Sequence, residues 1–326
     1  MAAVRVAEPR GLLLFRRDYQ GFSGGHLKVW HYYCHAMRSA RFSPRIHLTP
    51  QSIADPSSPW RDLDPPPLPQ WRPAEAAALF VAGLDWEAVP DGLPVPVVNL
   101  IQGVRHADPT DPRFRFLTRP ALRICVSPDV AHAITATGLV NGPVHTIAGA
   151  LDTAALPPPA PVRDIPLLVA GAKQPELART VGDRLRTRGL VVDCRDTPMP
   201  RAEFLPLLAR AEVAVLLPLQ REGLFLPALE AMALGALVVC PDCIGNRSFC
   251  RDQVTSLVPS HDPDAIVGAA FEAVSLAAER RQALRQAAAA EVEHHGLEDE
   301  CRRFLRILDT LPASPPSTVG QGRRRE

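Results

Sequence analysis

Two glutamates eight positions apart, Glu222 and Glu230, are the residues of this sequence whose types and spacing point most directly to ligand chemistry. Glu222 lies in a glycine-bearing segment, and Glu230 lies in the opening turns of the helix predicted after it. A helix start already attracts anions such as phosphate, so the two carboxylates have a different ligand. Carboxylate oxygens accept hydrogen bonds, and the vicinal hydroxyls of ribose or a sugar are good donors to them. The pair therefore predicts a nucleotide-sugar site.

A strand, a turn, a helix and a second strand would position these glutamates. An apolar run at 213–217 precedes Glu222, and another at 236–240 follows Gly235. Short apolar runs separated by a glycine-bearing turn and a helix indicate a βαβ unit of a parallel sheet. Ligands of such sheets bind beyond the carboxyl ends of the strands. We therefore expect both carboxylates at the ligand-binding edge of a sheet.

The segment from Glu222 to Val239 resembles the Glu, seven residues, Glu motif of family 4 glycosyltransferases. The usual wording of that motif is close to E-G-F-G-L-P-x-L-E-A-M-A-x-G-x-P-V-V, and most positions match. The resemblance implies a retaining enzyme of the GT-B fold, which is α/β with two Rossmann-like, doubly wound parallel-sheet domains facing a cleft. One departure is Leu224-Phe225 in place of Phe-Gly, and the bulkier Phe225 would reshape the sugar pocket.

The resemblance also implies roles for particular residues of the motif. Glu222 would approach the donor sugar, and Glu230 would hold the ribose hydroxyls. The backbone around Gly223 and Leu224 would contact the sugar and the phosphate. On this basis we expect donor binding at Gly223, Leu224 and Glu230 and a catalytic part for Glu222.

The composition of the chain is that of a globular protein rather than a disordered one. It has 326 residues, of which 46% are hydrophobic and 22% charged, and its formal net charge is +1. This charge gives no electrostatic reason to expect a nucleic-acid or anionic-membrane partner. The apolar run Gly11–Phe15 is too short for a signal sequence or a membrane span. We therefore expect a cytoplasmic protein with no integral membrane segment.

The cysteines and acidic residues do not predict a metal site. Seven cysteines are an odd number for a disulfide framework. Cys240 and Cys243 have metal-like spacing, but no second cysteine pair accompanies them, and Cys240 ends a predicted buried strand. Asp62-Leu-Asp64 lies in a proline-rich loop and is not a convincing metal-binding element. We expect no metal and no cofactor, with the nucleotide-diphosphate sugar acting as a co-substrate.

Alternating strand and helix patterns interrupted by a proline-rich stretch predict two domains. Residues 1–151 form the predicted N-terminal Rossmann-like, acceptor-side domain, and 152–164 form a hinge. Residues 165–297 form the C-terminal, nucleotide-sugar donor domain. The family resemblance implies that the helix at 298–311 crosses back to the first domain, and 312–326 have the composition of a disordered tail.

Gly24 and Gly25 follow the first predicted strand and open a helix. Paired glycines let the backbone approach a ligand closely, and a helix start supplies N–H groups for phosphate. Their position matches the Gly-Gly loop that family 4 members bring to the donor diphosphate and the acceptor. His26 and Lys28 follow at once and are candidates for binding the acceptor or the sugar; Lys28 is one of two lysines in the chain, the other being Lys173.

Gly171 and Lys173 follow the first strand of the second domain. Family 4 members usually have an arginine and a lysine here, both gripping the donor diphosphate. Lys173 is therefore the candidate for neutralising the leaving diphosphate, with Gly171 as a donor-binding position. The second cation is missing from this segment, which leaves that role to another residue, such as Arg221 or Arg247.

Gln102, Arg105 and His106 lie at the end of a predicted strand of the first domain. Family 4 members often have a histidine at this position, facing the donor sugar. His106 is thus a catalytic candidate, and Gln102 and Arg105 are candidates for binding acceptor or sugar hydroxyls. A histidine with a purely structural role is the competing interpretation.

Taken with the family resemblance, these residues predict a metal-independent, retaining, hexosyltransferase-like glycosyltransferase with an unidentified acceptor. Positioning and electrostatic stabilisation of the leaving diphosphate would supply most of the catalysis. Two alternatives remain open. One is a non-catalytic nucleotide-sugar-binding or scaffold protein derived from a transferase, and the other is a nucleotide-sugar epimerase.

Overall fold

The first domain is built on a six-stranded sheet in which every strand pair is parallel. A computed structural model describes residues 10–158 and 160–312 of the chain. The strands of this sheet are β1 (Gly11–Arg17), β2 (Phe42–Leu48), β3 (Ala78–Ala82), β4 (Val97–Ile101), β5 (Leu122–Cys125) and β6 (Val144–Thr146). They lie in the order β2-β1-β3-β4-β5-β6. Its helices are α1 (Gly24–Met37) and α2 (Pro128–Thr135).

The central strands of this sheet are covered on both faces. All five residues of β3 and all five of β4 are buried, which is typical of parallel strands with helices or loops on each side. On one face the ring of Phe15 stacks on that of Phe80 with centroids 4.5 Å apart. On the other face Leu79 packs in a cluster with Trp86. Burial on both faces explains why these strands are continuous apolar runs in the sequence.

The second domain is built on a four-stranded parallel sheet. Its elements are β7 (Ile165–Ala170), α3 (Pro175–Thr187), β8 (Val192–Arg195), α4 (Arg201–Arg210), β9 (Ala211–Leu216), α5 (Leu226–Ala233), β10 (Leu237–Val239), α6 (Pro263–Ser275) and α7 (Ala278–Glu293). The strand order is β10-β9-β7-β8. β9, α5 and β10 are the βαβ unit predicted around the two glutamates, since β9 pairs in parallel with β10.

The chain crosses between the two domains at two neighbouring points. Leu151 pairs in parallel with Gly296, and the amide of Leu151 donates to the carbonyl oxygen of His295 at 2.8 Å. The last helix, α8 (Leu297–Thr310), then packs on the first domain. The ring of Phe304 lies edge-on to Tyr32 of α1, with centroids 4.8 Å apart. The apolar face of α8 thus completes the core of the first domain.

A buried ionic cluster joins α1 to α8 beside these crossings. Lys28 Nζ donates to Glu300 Oε1 at 2.7 Å, and His35 Nε2 lies 2.9 Å from the same oxygen. The amide of Ala150 donates to Glu300 Oε2 at 3.0 Å. Burial alone would raise the pKa of Glu300, but Lys28 and His35 outweigh it and hold that pKa at about 2. The cluster satisfies a buried carboxylate at the junction of the domains.

Strand β2 begins at Phe42, two residues before a proline. Pro44 lies within it, opposite Leu13 of β1. Proline is tolerated there because β2 is an edge strand, so the missing N–H removes no ladder bond on the outer side.

Among the helices that the structure describes, none is both long and apolar enough to cross a membrane. The predicted tail at 312–326 lies outside the described residues except for residue 312.

Candidate active site

A cleft of about 1230 Å³ lies between the two domains. Parallel strands present their carboxyl ends at one edge of a sheet, and here the segments after β1, β4, β7 and β9 face one another across the cleft. All of the site residues predicted from the sequence line it: Gly24, Gly25, His26, Lys28, Gln102, Arg105, His106, Gly171, Lys173, Glu222, Gly223, Leu224 and Glu230. The structure thus brings all of these residues to one cleft. The roles assigned to them stay predictions.

Glu230 is a buried carboxylate with one arginine partner. Its side chain lies in α5 and the residue is 4% exposed. Arg201, the first residue of α4, donates two hydrogen bonds to Glu230 Oε1. The donors are Nε at 2.9 Å and Nη2 at 2.7 Å. No described residue donates a hydrogen bond to Oε2. Burial raises the pKa of Glu230 above its ordinary value, and Arg201 opposes that rise.

Glu222 is paired with the lysine that the sequence assigned to the diphosphate. Lys173 Nζ donates to Glu222 Oε1 at 2.6 Å, and the side chain of Lys173 is 58% exposed. The ammonium and the carboxylate thus neutralise each other in this arrangement. A diphosphate bound beside Lys173 would compete with Glu222 for the same cation.

Gly223 is a point of close approach between the two domains. A Cβ built on Gly223 would overlap the carbonyl oxygen of Gln102 and lie 2.6 Å from the Cα of Gly103. Leu224 packs with the apolar cores of both domains and would overlap a Cβ on Gly149. The loop that carries Glu222 is therefore in direct backbone contact with the end of β4.

The start of α1 faces the same cleft. Ser23 caps the helix by accepting from the amide of His26 at 3.2 Å, and Gln102 Nε2 donates to the carbonyl oxygen of Gly25 at 3.2 Å. A Cβ on Gly24 would lie 3.2 Å from the side chain of Leu226, so this helix end also contacts the second domain. The first N–H groups of a helix have no intrahelical acceptor and can meet an anion.

The two basic residues after the glycines have different environments. His26 Nδ1 accepts from Arg17 Nε at 3.0 Å, and burial together with Arg17 lowers the pKa of His26 to about 4, so the ring is neutral. Lys28 is buried, and its ammonium binds Glu300 and the carbonyl oxygen of Ala150. The structure thus holds the charged end of Lys28 in the ionic cluster between α1 and α8.

His106 is buried at the cleft wall, next to Arg105 in the 3-10 turn Val104–Ala107. Burial and the neighbouring arginines Arg113 and Arg105 lower the pKa of His106 to about 3. No hydrogen bond joins its ring to any of the described residues. A neutral, unpartnered imidazole of this kind can donate to or accept from a sugar hydroxyl.

The structure also brings functional candidates to the cleft that the sequence did not single out. Arg201 is 29 residues from Glu230 in the chain, and its guanidinium lies 5.8 Å from the centre of the Phe22 ring. Arg17 donates to Asp85 Oδ2 at 2.8 Å. In the sequence, Arg201 is marked only by its position at the start of a helix that follows a strand of the second domain. Other arginines lie in similar positions, so the sequence did not distinguish it.

The remaining metal candidates from the sequence lie elsewhere. Cys240 and Cys243 pack in the core of the second domain, and Asn246 Nδ2 donates to Cys240 Sγ at 3.2 Å. Within residues 10–158 and 160–312, no group of three or more His, Cys, Asp and Glu side chains could hold a metal ion.

The comparisons with known proteins agree with this architecture. Residues 123–275 match the family described as "Glycosyl transferases group 1". The structure is similar to that of Alr3699/HepE from Anabaena, solved with UDP-glucose, with a TM-score of 0.72, 14% identity and coverage of 93% of this chain and 100% of that chain. No curated protein matches the sequence.

Two further solved structures have the same architecture. Sucrose-phosphate synthase (tll1590) from Thermosynechococcus elongatus has a TM-score of 0.67 and 13% identity over 92% of this chain and 98% of that chain. A glycosyltransferase from Rickettsia africae ESF-5 has a TM-score of 0.66 and 11% identity over 91% and 97%. The predicted fold, two parallel-sheet α/β domains of the GT-B type, is thereby confirmed. At 11–14% identity these structures establish the fold, and the family match covers residues 123–275.

Proposed function

We propose that the chain is a retaining, hexosyltransferase-like enzyme that moves a sugar from a nucleotide-diphosphate sugar to an acceptor hydroxyl without an essential metal ion. A UDP-sugar is the first donor to test, because Alr3699/HepE was solved with UDP-glucose. The acceptor is unidentified. A cytoplasmic location belongs to the same proposal and is supported by seven free cysteines, which favour a reducing compartment.

The observation that carries this proposal is the pair of carboxylates on one wall of the cleft. Glu222 and Glu230 both line it, and each already contacts a cation, Lys173 and Arg201 respectively. Glu230 keeps Oε2 available for ribose hydroxyls, since Arg201 binds Oε1 alone. Carboxylates that are held in place and hydrogen-bond a hydroxyl contribute to specificity as well as affinity.

The chemistry we propose is departure of the diphosphate with attack on the same face of the sugar. Lys173 and the N-terminus of α1 at Gly24 and Gly25 would stabilise the charge on the leaving group. Glu222 would orient the sugar, and His106 would bind one of its hydroxyls as a neutral imidazole. The contact between the domains at Gly223 would exclude water and so limit hydrolysis.

A thermal-shift panel of the diphosphates of uridine, guanosine, adenosine and thymidine, followed by their sugars, tests the proposal. We expect one base to bind best and its sugar nucleotide to release nucleoside diphosphate faster when an acceptor is present. Glu230→Ala should weaken nucleotide binding by about tenfold to a hundredfold, the range of a hydrogen bond to a charged group. Glu222→Ala should impair turnover more than nucleoside-diphosphate affinity.

Glu203→Ala is the matched control, because Glu203 is exposed on α4 near Arg201 and outside the cleft lining. Unchanged activity in both Glu222→Ala and Glu230→Ala would remove the site assignment. Binding of a sugar nucleotide without turnover across many acceptors would favour the scaffold alternative. Conversion of the sugar nucleotide to its epimer would favour the epimerase.

A further inference from the structure

The segment after β7 offers the leaving diphosphate a single cation. Lys173 is the only basic residue in its segment of the cleft before Arg179, and Glu222 already holds its ammonium. Breaking the bond between the sugar and the diphosphate increases the negative charge on the leaving oxygen. A second cation beside Glu222 would compensate for that charge.

Almost every other basic side chain at the cleft is committed to a carboxylate. The pairs are Arg16 and Arg17 with Asp85, Arg113 with Asp111, Arg195 with Asp193, Arg201 with Glu230, Arg221 with Asp108, and Lys28 with Glu300. Arg105 lines the same cleft. In the described part of the chain its guanidinium has neither a hydrogen bond nor an ion pair. Arg105 is therefore the cation that an entering anion can bind without breaking an existing pair.

The turn that carries Arg105 is held against the glutamate loop at both ends. Gly103, just before the turn, faces Gly223, since a Cβ on Gly103 would lie 4.0 Å from the Cα of Gly223. Asp108, just after the turn, accepts from Arg221 Nη1 at 3.1 Å. Arg105 lies between these two contacts, close enough to Glu222 for that carboxylate to act on its pKa.

The two domains thus each bring one cation to the same cleft. Lys173 contacts Glu222 from the second domain, and Arg105 lines the cleft from the first. Burial of part of the Arg105 side chain and the charge of Arg113 lower the pKa of Arg105, and Asp111 and Glu222 oppose this. An anion bound beside Arg105 would further offset the repulsion from Arg113 and stabilise the charged guanidinium.

We propose that Arg105 supplies the second cation for the leaving diphosphate, reaching it from the first domain across the closed cleft. This inference rests on the proposed function. In the step it assists, the bond between C1 of the sugar and the β-phosphate oxygen breaks with its electron pair on that oxygen. The acceptor oxygen bonds to C1, and the acceptor's hydroxyl proton passes to the released diphosphate.

Supplying the second cation from the first domain couples chemistry to domain closure. A donor held by the second domain meets Lys173 in any arrangement of the domains, but it meets Arg105 when Gly103 and Gly223 are in contact. Departure of the diphosphate is then favoured in the arrangement that also excludes water from the sugar.

The test compares nucleoside diphosphate with nucleoside monophosphate binding, using the base that wild-type protein binds best. Arg105→Gln should weaken diphosphate binding about tenfold, the effect of losing one charge-assisted hydrogen bond, and leave monophosphate binding within about twofold. The kcat for transfer should fall further than diphosphate affinity, because the charge to be stabilised increases in the transition state. Arg105→Lys should recover part of both losses.

Arg72→Gln is the matched control, since Arg72 is an exposed arginine of the first domain that pairs with Glu75, and neither residue lines the cleft. It should change neither binding ratio nor kcat. If Arg105→Gln keeps the wild-type preference for diphosphate over monophosphate, the inference about Arg105 is overturned while the proposed function stands. A raised KM for the acceptor alone would likewise overturn it and assign Arg105 to acceptor binding. A wild-type protein that binds none of the four diphosphates would overturn the proposed function and this inference with it.

Discussion

Removing Arg201 should expose the energetic cost of burying Glu230. The carboxylate is 4% exposed, and the side chain of Arg201, at 21% exposure, supplies the two hydrogen bonds that it receives from the described residues. Breaking a buried ion pair by removing one partner costs about 3–5 kcal/mol. Because Arg201 keeps some contact with water, we expect Arg201→Gln to lower the free energy of unfolding by about 2 kcal/mol at pH 8.

The size of this loss should depend on pH in a defined direction. Burial already raises the folded-state pKa of Glu230 above its ordinary value of 4.5, and losing Arg201 raises it further. A carboxyl whose pKa is higher in the folded state favours the fold while it is protonated, and this contribution is lost as the pH rises through the folded-state pKa. Each additional unit of pKa corresponds to about 1.4 kcal/mol. The stability deficit of Arg201→Gln should therefore be largest at pH 8 and shrink as the pH falls towards 4.5.

Urea unfolding of wild type and Arg201→Gln at pH 8 and pH 5 measures this difference. The double variant Arg201→Gln/Glu230→Gln removes the titrating group, so its deficit should be nearly the same at both pH values. Nucleotide affinity gives a second test, because a protonated Glu230 accepts hydrogen bonds from ribose less well. Lowering the pH therefore reduces the stability deficit but weakens nucleotide binding. In Arg201→Gln that affinity should fall as the pH is lowered. A stability deficit of equal size at both pH values in the single variant would refute the reasoning.

Three further outcomes are expected. Gly223→Ala should lower kcat by about a hundredfold or more with little loss of thermal stability, because the added methyl group overlaps the Gln102 carbonyl and separates the domains. A wild-type kcat in this variant would contradict the contact between the domains. Lys28→Met should lower the free energy of unfolding, measured in urea, by about 3–5 kcal/mol. The double variant Lys28→Met/Glu300→Met should recover most of that loss, and an equal loss in the double variant would contradict the pairing. His106→Gln should lower kcat without changing the shape of the pH–rate profile between pH 6 and 9, because a pKa of about 3 leaves the ring neutral throughout. A step near pH 6.5 that is present in the wild-type profile and lost in the variant would contradict this.

Much of the fold and the location of the site could be predicted from local sequence. The apolar runs at 213–217 and 236–240 were expected to be strands and overlap β9 and β10, because buried parallel strands are continuous apolar runs bounded by polar or turn residues. The positions of Glu222 and Glu230 followed from the same reasoning, since a strand, a turn and a helix bring ligand-binding residues to a known edge of the sheet. The place of Pro44 inside β2 could not be predicted from local sequence, because proline is acceptable there only at a sheet edge, and strand order is not a local property.

The sequence by itself determined which residue types lie at the strand ends, because chain connectivity and the helix and strand periods fix where neighbouring side chains point. The partner of each charge was decided by the tertiary structure. Arg201 reaches Glu230 because α4 and α5 pack together, and Lys28 meets Glu300 across 272 residues because α8 returns to α1. Electrostatic pairing depends on distances of a few ångströms between elements far apart in the chain, and those distances exist only once both sheets and the two domain crossings have formed.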